Sequence, residues 1–218
     1  MQLQSHIISD IPVFKIGDSL KKVVAFFNDN TFSHVAVVEN DILIGVLNED
    51  DLENFETGQT IESVRFNLET VFVLDKTSWL DVLETFARNE ANLIPVIDEH
   101  GKVMGYYDLT DIVGVFIDTP FFTDPGSILV VAKGIKDYSF SEIAQIVESN
   151  NTRFIGGFIT EMHNDVVQIT IKIGTANLSD IAQTFRRYNY NVLFGNNDDQ
   201  FLEDLKQRSD YLDKYLNV

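Results

Sequence analysis

The feature that most constrains this chain is an internal repeat. Ser19-Leu20-Lys21-Lys22-Val23-Val24-Ala25-Phe26-Phe27 aligns with Ser78-Trp79-Leu80-Asp81-Val82-Leu83-Glu84-Thr85-Phe86, 59 residues later. Leu20, Val23, Val24 and Phe27 in the first copy, and Trp79, Val82, Leu83 and Phe86 in the second, recur at the spacing of one helix face. Ser19 and Ser78 stand where an N-cap belongs, and Asp81 adds the acidic third position of a weak capping box. Two strand-like runs follow in each copy. They are Val35–Val38 and Ile42–Leu47 around the turn Glu39-Asn40-Asp41, and Ile94–Ile97 and Val103–Tyr107 around the longer turn Asp98–Lys102. Each copy closes on an acidic segment opening a short helix, at Asn48-Glu49-Asp50-Asp51-Leu52 and Asp108-Leu109-Thr110-Asp111-Ile112. A unit of about 60 residues has little core of its own. Two such units are expected to bury a shared face, with the first at residues 1–60 and the second at 61–120.

Charge follows this division. Residues 1–120 hold 7 basic and 21 acidic side chains, whereas 121–195 hold 6 and 7, within a chain total of −18. No basic stripe exists to neutralise phosphates, so nucleic acid is not an expected partner, and an anionic membrane surface is disfavoured for the same reason. No run approaches the length of a membrane span, and Met1–His6 has no signal-peptide pattern, so a cytoplasmic location is expected. The chain has no cysteine, which removes disulfides and thiolate chemistry. Two prolines and a glycine between Thr119 and Gly126 mark the expected boundary.

The second copy carries Ile94-Pro95-Val96-Ile97-Asp98, Gly101, then Gly105-Tyr106-Tyr107-Asp108-Leu109-Thr110-Asp111. With the first copy in register, this resembles a tandem pair of CBS (cystathionine-β-synthase) domains over residues 5–118. Ala36 stands in the first copy where the family usually has Pro. The resemblance implies an adenine nucleoside or nucleotide of the AMP, ATP or S-adenosylmethionine class as a regulatory ligand, with no cofactor required. It assigns ribose contacts to Asp51 and Asp111. It assigns to Asn48 and Asp108 the place of the family's phosphate-contacting Thr or Ser. Asn48 keeps a donor. An ionised Asp108 does not, and like charges about 4 Å apart cost about 1 kcal/mol in water and about 4 kcal/mol in a partly buried cleft.

Residues 126–195 read as strand, helix, two strands joined at Met162–Asp165, helix, strand: a ferredoxin-like βαββαβ order. Phe140, Ile143, Ala144 and Val147 form the expected buried face of the first helix; Leu178, Ile181, Ala182 and Phe185 form that of the second, capped by Asn177 or Ser179. Following a CBS pair, this order resembles an ACT domain, although the turn Lys133–Tyr138 lacks that family's usual Asp-x-Pro-Gly. The whole arrangement is similar to the acetoin-utilisation regulatory protein family. In the tail, residues 196–218, Leu202, Leu205, Ser209, Leu212 and Leu216 follow 3,4 spacing. They suit an amphipathic helix, either packed on the ACT-like sheet or forming a short coiled coil.

Catalytic patterns are absent: no Gly-x-Ser-x-Gly, P-loop or His-Glu-x-x-His occurs. His6, His34, His100 and His163 show no ligand spacing, so no metal site is expected; His34 is read as a polar neighbour of the cleft. The expected protein is therefore an α+β, non-enzymatic regulator. Its CBS pair would sense an adenosyl ligand, its ACT-like domain would oligomerise or sense a second metabolite, and it would work as a homodimer on a target protein. The alternative is a dimeric scaffold with degenerate clefts.

Overall fold

The computed structural model describes residues 3–54, 56 and 58–194. The tail helix expected at 196–218 lies outside the described residues. The chain divides between Ile117 and Asp118 into two compact units.

In the first unit, β1 (Phe14–Lys15), α1 (Leu20–Asp29), β2 (His34–Glu39) and β3 (Ile42–Asn48) form one repeat. The second consists of β4 (Val73–Leu74), α2 (Trp79–Arg88), β5 (Leu93–Ile97), β6 (Val103–Asp108) and α3 (Leu109–Ile117). The sheets run β1-β2-β3 and β4-β5-β6. In each, the short first strand pairs parallel and the hairpin antiparallel.

The helices form where the apolar spacing says. Leu20, Val23 and Phe27 of α1, and Val82 and Phe86 of α2, are buried. Ser19 Oγ accepts from the Lys21 N–H. Ser78 Oγ accepts from the Asp81 N–H and donates to its carboxylate. Asp81 thus holds the cap hydroxyl instead of reaching back to the cap's own N–H. The two hairpins turn by different chemistry. Asn40 and Asp41 take positive φ (51° and 67°) in a two-residue turn. In the longer one, the Asp98 carboxylate accepts from the His100 and Lys102 N–H groups (2.8 and 2.9 Å) and Gly101 supplies φ 81°.

Each sheet is extended by a leading segment from the other repeat. Ile8 and Tyr106 exchange both backbone hydrogen bonds (2.9 Å each), and Leu3 and Ile7 pack into the second repeat's core. Likewise Val46 pairs with Glu69, which leads into β4 (2.9 and 3.0 Å). These approaches need glycine beside them: Gly45 and Gly105 have φ 156° and 148°. A Cβ on Gly105 would lie 2.4 Å from the Ile8 carbonyl oxygen.

Two further contacts join the repeats. Ser33 N–H donates to Asn92 Oδ1 (2.7 Å), and Asn92 N–H donates to Ser33 Oγ (2.9 Å). The fully buried Tyr106 hydroxyl donates to the Pro12 carbonyl (2.8 Å) and accepts from the Ala36 N–H (3.0 Å). A proline at position 36 would have no hydrogen to give, which accounts for the departure noted there.

The second unit opens with α4 (Pro120–Thr123). There follow β7 (Ser127–Gly134), α5 (Phe140–Ser149), β8 (Phe154–His163), β9 (Val166–Ile173), α6 (Leu178–Arg187) and β10 (Asn191–Phe194). The sheet order is β10-β7-β9-β8, all antiparallel, with a type of split βαββαβ winding. Buried residues alternate along β9 at Val167, Ile169, Ile171 and Ile173, which pack with Ile143, Val147, Ile181 and Phe185 of the helices. Asn177 caps α6. Phe140 is 38% exposed, contrary to expectation, and packs edge-on to Tyr138; Ile146 takes its place in the core. Phe140 directly follows the cap Ser139, a turn before the face that meets the sheet.

Candidate functional site

The residues expected to bind ligand lie at equivalent ends of the two sheets, where β3 and β6 each run into a short helix. A strand ending there must turn at once into helical backbone, leaving N–H groups without partners. Asn48 and Asp108 solve this. Asn48 Oδ1 accepts from the Asp50 N–H (3.1 Å), and Asp108 Oδ1 accepts from the Thr110 and Asp111 N–H groups (2.7 and 3.4 Å). The side chains read as facing a phosphate are thus engaged in capping. Asp51 and Asp111 sit one helical turn further on, half-buried and exposed respectively. Neither carboxylate accepts a hydrogen bond from another described residue, so both retain their full acceptor capacity.

The structure brings further side chains to Asn48 and Asp51. His34, opposite Asn48 in the sheet, is 1% exposed. Its Nδ1 lies 2.7 Å from Ser33 Oγ. Its Nε2 lies 3.5 Å from Glu69 Oε2 and makes no hydrogen bond. Asn48 Nδ2 reaches the other Glu69 oxygen at 3.5 Å. Burial pushes the His34 pKa below its ordinary value; Glu69, Asp50 and Asp51 pull the other way without prevailing. Glu69 was not among the residues singled out in the sequence, because it lies between the repeats and carries no motif. Its backbone pairing with Val46 is what places it here.

The second repeat has no such pair. Leu93 lies opposite Asp108 as His34 lies opposite Asn48, and Ile8 bridges Tyr106 as Glu69 bridges Val46. Near its helix start is an open, largely apolar depression of about 460 Å³ lined by Leu83, Phe86, Ala87, Glu90, Asn92 and Leu109.

Other acidic groups have structural roles. Asp98 organises its turn, and Glu99 pairs with Lys76. Among the described residues, no three His, Asp or Glu side chains converge as metal ligands, and no helix is long and apolar enough to cross a membrane.

Comparison with known proteins bears on this geometry. An uncharacterised protein of Methanocaldococcus jannaschii is 26% identical over 124 residues, covering 50% of this chain and 41% of that protein. The chain therefore spans under half the length of that relative. A CBS domain pair/ACT domain protein from Thermotoga maritima is 19% identical, with a TM-score of 0.48, over 54% of this chain and 98% of its own. The CBS domain of a bacterial CNNM/CorC family Mg²⁺ transporter, solved in complex with ATP, is 17% identical, with a TM-score of 0.44, over 54% and 87%. The CBS domain family matches residues 5–56 and 66–118. Two matches in register, each including the point where a strand delivers Asn48 or Asp108 to a helix start, make the first unit a tandem pair of CBS domains.

Proposed function

We propose that this protein is a non-enzymatic cytoplasmic regulator whose CBS pair senses an adenosine-type ligand. The observation that carries the reading is the contrast at the two helix starts. Asn48 and Asp108 are committed to capping, whereas Asp51 and Asp111 keep free carboxylates suited to the vicinal hydroxyls of a ribose. The apolar depression beside Leu109 suits the flat face of a base. Asp108 and the surrounding acidic charge oppose a bare phosphate, which favours a neutral or cation-bearing adenosyl ligand, or a nucleotide carrying Mg²⁺.

The second unit is assigned as an ACT-like domain on its β10-β7-β9-β8 order. It would join two copies into a homodimer or sense a second metabolite, in the manner of the acetoin-utilisation regulators. Beside the turn between β7 and α5, the two elements are tied together. Lys133 Nζ bonds Glu142 (2.7 Å) and lies 4.2 Å over the Tyr190 ring, so pairing of copies is the favoured role. Ligand binding would shift the population between two arrangements read by a target protein.

Thermal shift against AMP, ATP, adenosine and S-adenosylmethionine, with and without Mg²⁺, tests the sensing role. At a hundredfold excess over Kd a true ligand stabilises by about 2.7 kcal/mol. Asp51→Ala and Asp111→Ala should each weaken binding at one cleft by about tenfold or more. If none of the four compounds raises the melting temperature, the protein is the scaffold with unused clefts, a reading that the capping role of Asp108 favours.

A further inference from the structure

The second repeat shows that this fold closes the edge beside its cleft with apolar residues, Leu93 and Ile8, at the places taken by His34 and Glu69 in the first. Burying an imidazole against a carboxylate costs desolvation that a hydrophobic pair does not, so stability alone does not account for the substitution. The geometry shows what the pair can do. His34 is fixed from behind, because Ser33 Oγ holds Nδ1 and is itself clamped by Asn92 of the other repeat. Nε2 is buried and faces Glu69 across 3.5 Å without making a hydrogen bond to it. Glu69 is 39% exposed on its outer side and touches Asn48 only at 3.5 Å, so its carboxylate has room to move.

We propose that His34 and Glu69 are a proton-operated clasp on the first cleft. When the imidazole takes up a proton, the Glu69 carboxylate closes on Nε2 as a charge-assisted hydrogen bond. One negative charge beside Asn48 and Asp51 is thereby neutralised, and a phosphate-bearing ligand binds there more tightly. The charged groups that face the imidazole are Glu69, from the segment leading into β4, and Asp50 and Asp51, from the helical turn after β3. All are acidic, so protonation is met by attraction from each side. The part concerning ligand rests on the cleft reading above, whereas the clasp itself does not.

The sign of the stability effect follows from burial. The folded protein holds His34 neutral more firmly than the unfolded chain does. Stability is therefore complete above the ordinary histidine range of about 6.5 and is lost as pH falls below it.

The test is NMR of histidine Cε1–H signals in the full chain from pH 4 to 8, with AMP affinity measured over the same range. His34→Leu identifies the His34 signal. Glu69→Gln should lower its midpoint by about one pH unit or more, because the attracting carboxylate is gone. The variant His34→Leu with Glu69→Ile, which installs the second repeat's residues, should fold and lose less stability in acid. Between pH 8 and 4, the range of the titration, AMP affinity should rise about tenfold more in the wild type than in this double variant, whose ligand titrates identically. An unchanged His34 midpoint in Glu69→Gln overturns the clasp. So does an equal pH dependence of AMP affinity in wild type and double variant. If AMP binds at no pH while the midpoint moves as expected, the clasp stands and the adenine-ligand reading falls.

Discussion

Gly105→Ala should lower stability by about 4 kcal/mol, seen as a melting temperature roughly 15 °C lower. Two costs add. Its φ of 148° belongs to a region that residues with a Cβ rarely adopt. The added carbon would also meet the Ile8 carbonyl oxygen at 2.4 Å and Ile7 Cγ2 at 2.6 Å. The first of these is backbone, held by the Ile8–Tyr106 hydrogen bonds, and has no rotamer into which to withdraw. Relief requires the leading segment to lift, which exposes Leu3 and Ile7. Gly17→Ala is the control, since nothing lies within 4 Å of its Cβ position. Equal melting temperatures for the two variants would show that the leading segment is not docked as described.

The second large effect lies across the repeats. Tyr106→Phe should cost about 2 kcal/mol, because the Ala36 N–H and the Pro12 carbonyl each lose a buried partner. Ala36→Pro restores the residue usual at that place in the family, yet it should be worse, at about 3 kcal/mol. It removes the hydrogen bonded to Tyr106 and places a ring in the middle strand of a sheet. The double variant Ala36→Pro with Tyr106→Phe should cost less than the sum, since both changes remove the same hydrogen bond. Strict additivity by chemical denaturation would show that the two residues do not communicate.

Much of the fold was legible because it is written at short range. Ser19, Ser78 and either Asn177 or Ser179 signal helix starts; the turns read at Glu39–Asp41 and Met162–Asp165 are present, narrowed to Asn40-Asp41 and Asn164-Asp165, all four of which take positive φ. The winding of the second unit follows from strand and helix order alone. What escaped was long-range. Nothing local marks Ile7 and Ile8 as belonging to the core and sheet edge of the other repeat. Glu69 reaches His34 through a pairing with Val46 that no local pattern encodes. At the candidate site, motif positions singled out Asn48, Asp51, Asp108 and Asp111. They did not reveal that two of the four are engaged as caps, since a capping and a ligand-binding carboxylate look alike in sequence.

The exchanged leading segments also bear on how the chain is made. Translation delivers Leu3, Ile7 and Ile8 well ahead of their place against Tyr106, which exists only once the second hairpin has emerged, nearly a hundred residues later. This leading segment must therefore wait, apolar and unpaired, until the second repeat is complete. A ribosome stalled midway through this unit would hold a sticky strand with no edge to join, an opening for chaperones that a chain folding strictly from its start would not present.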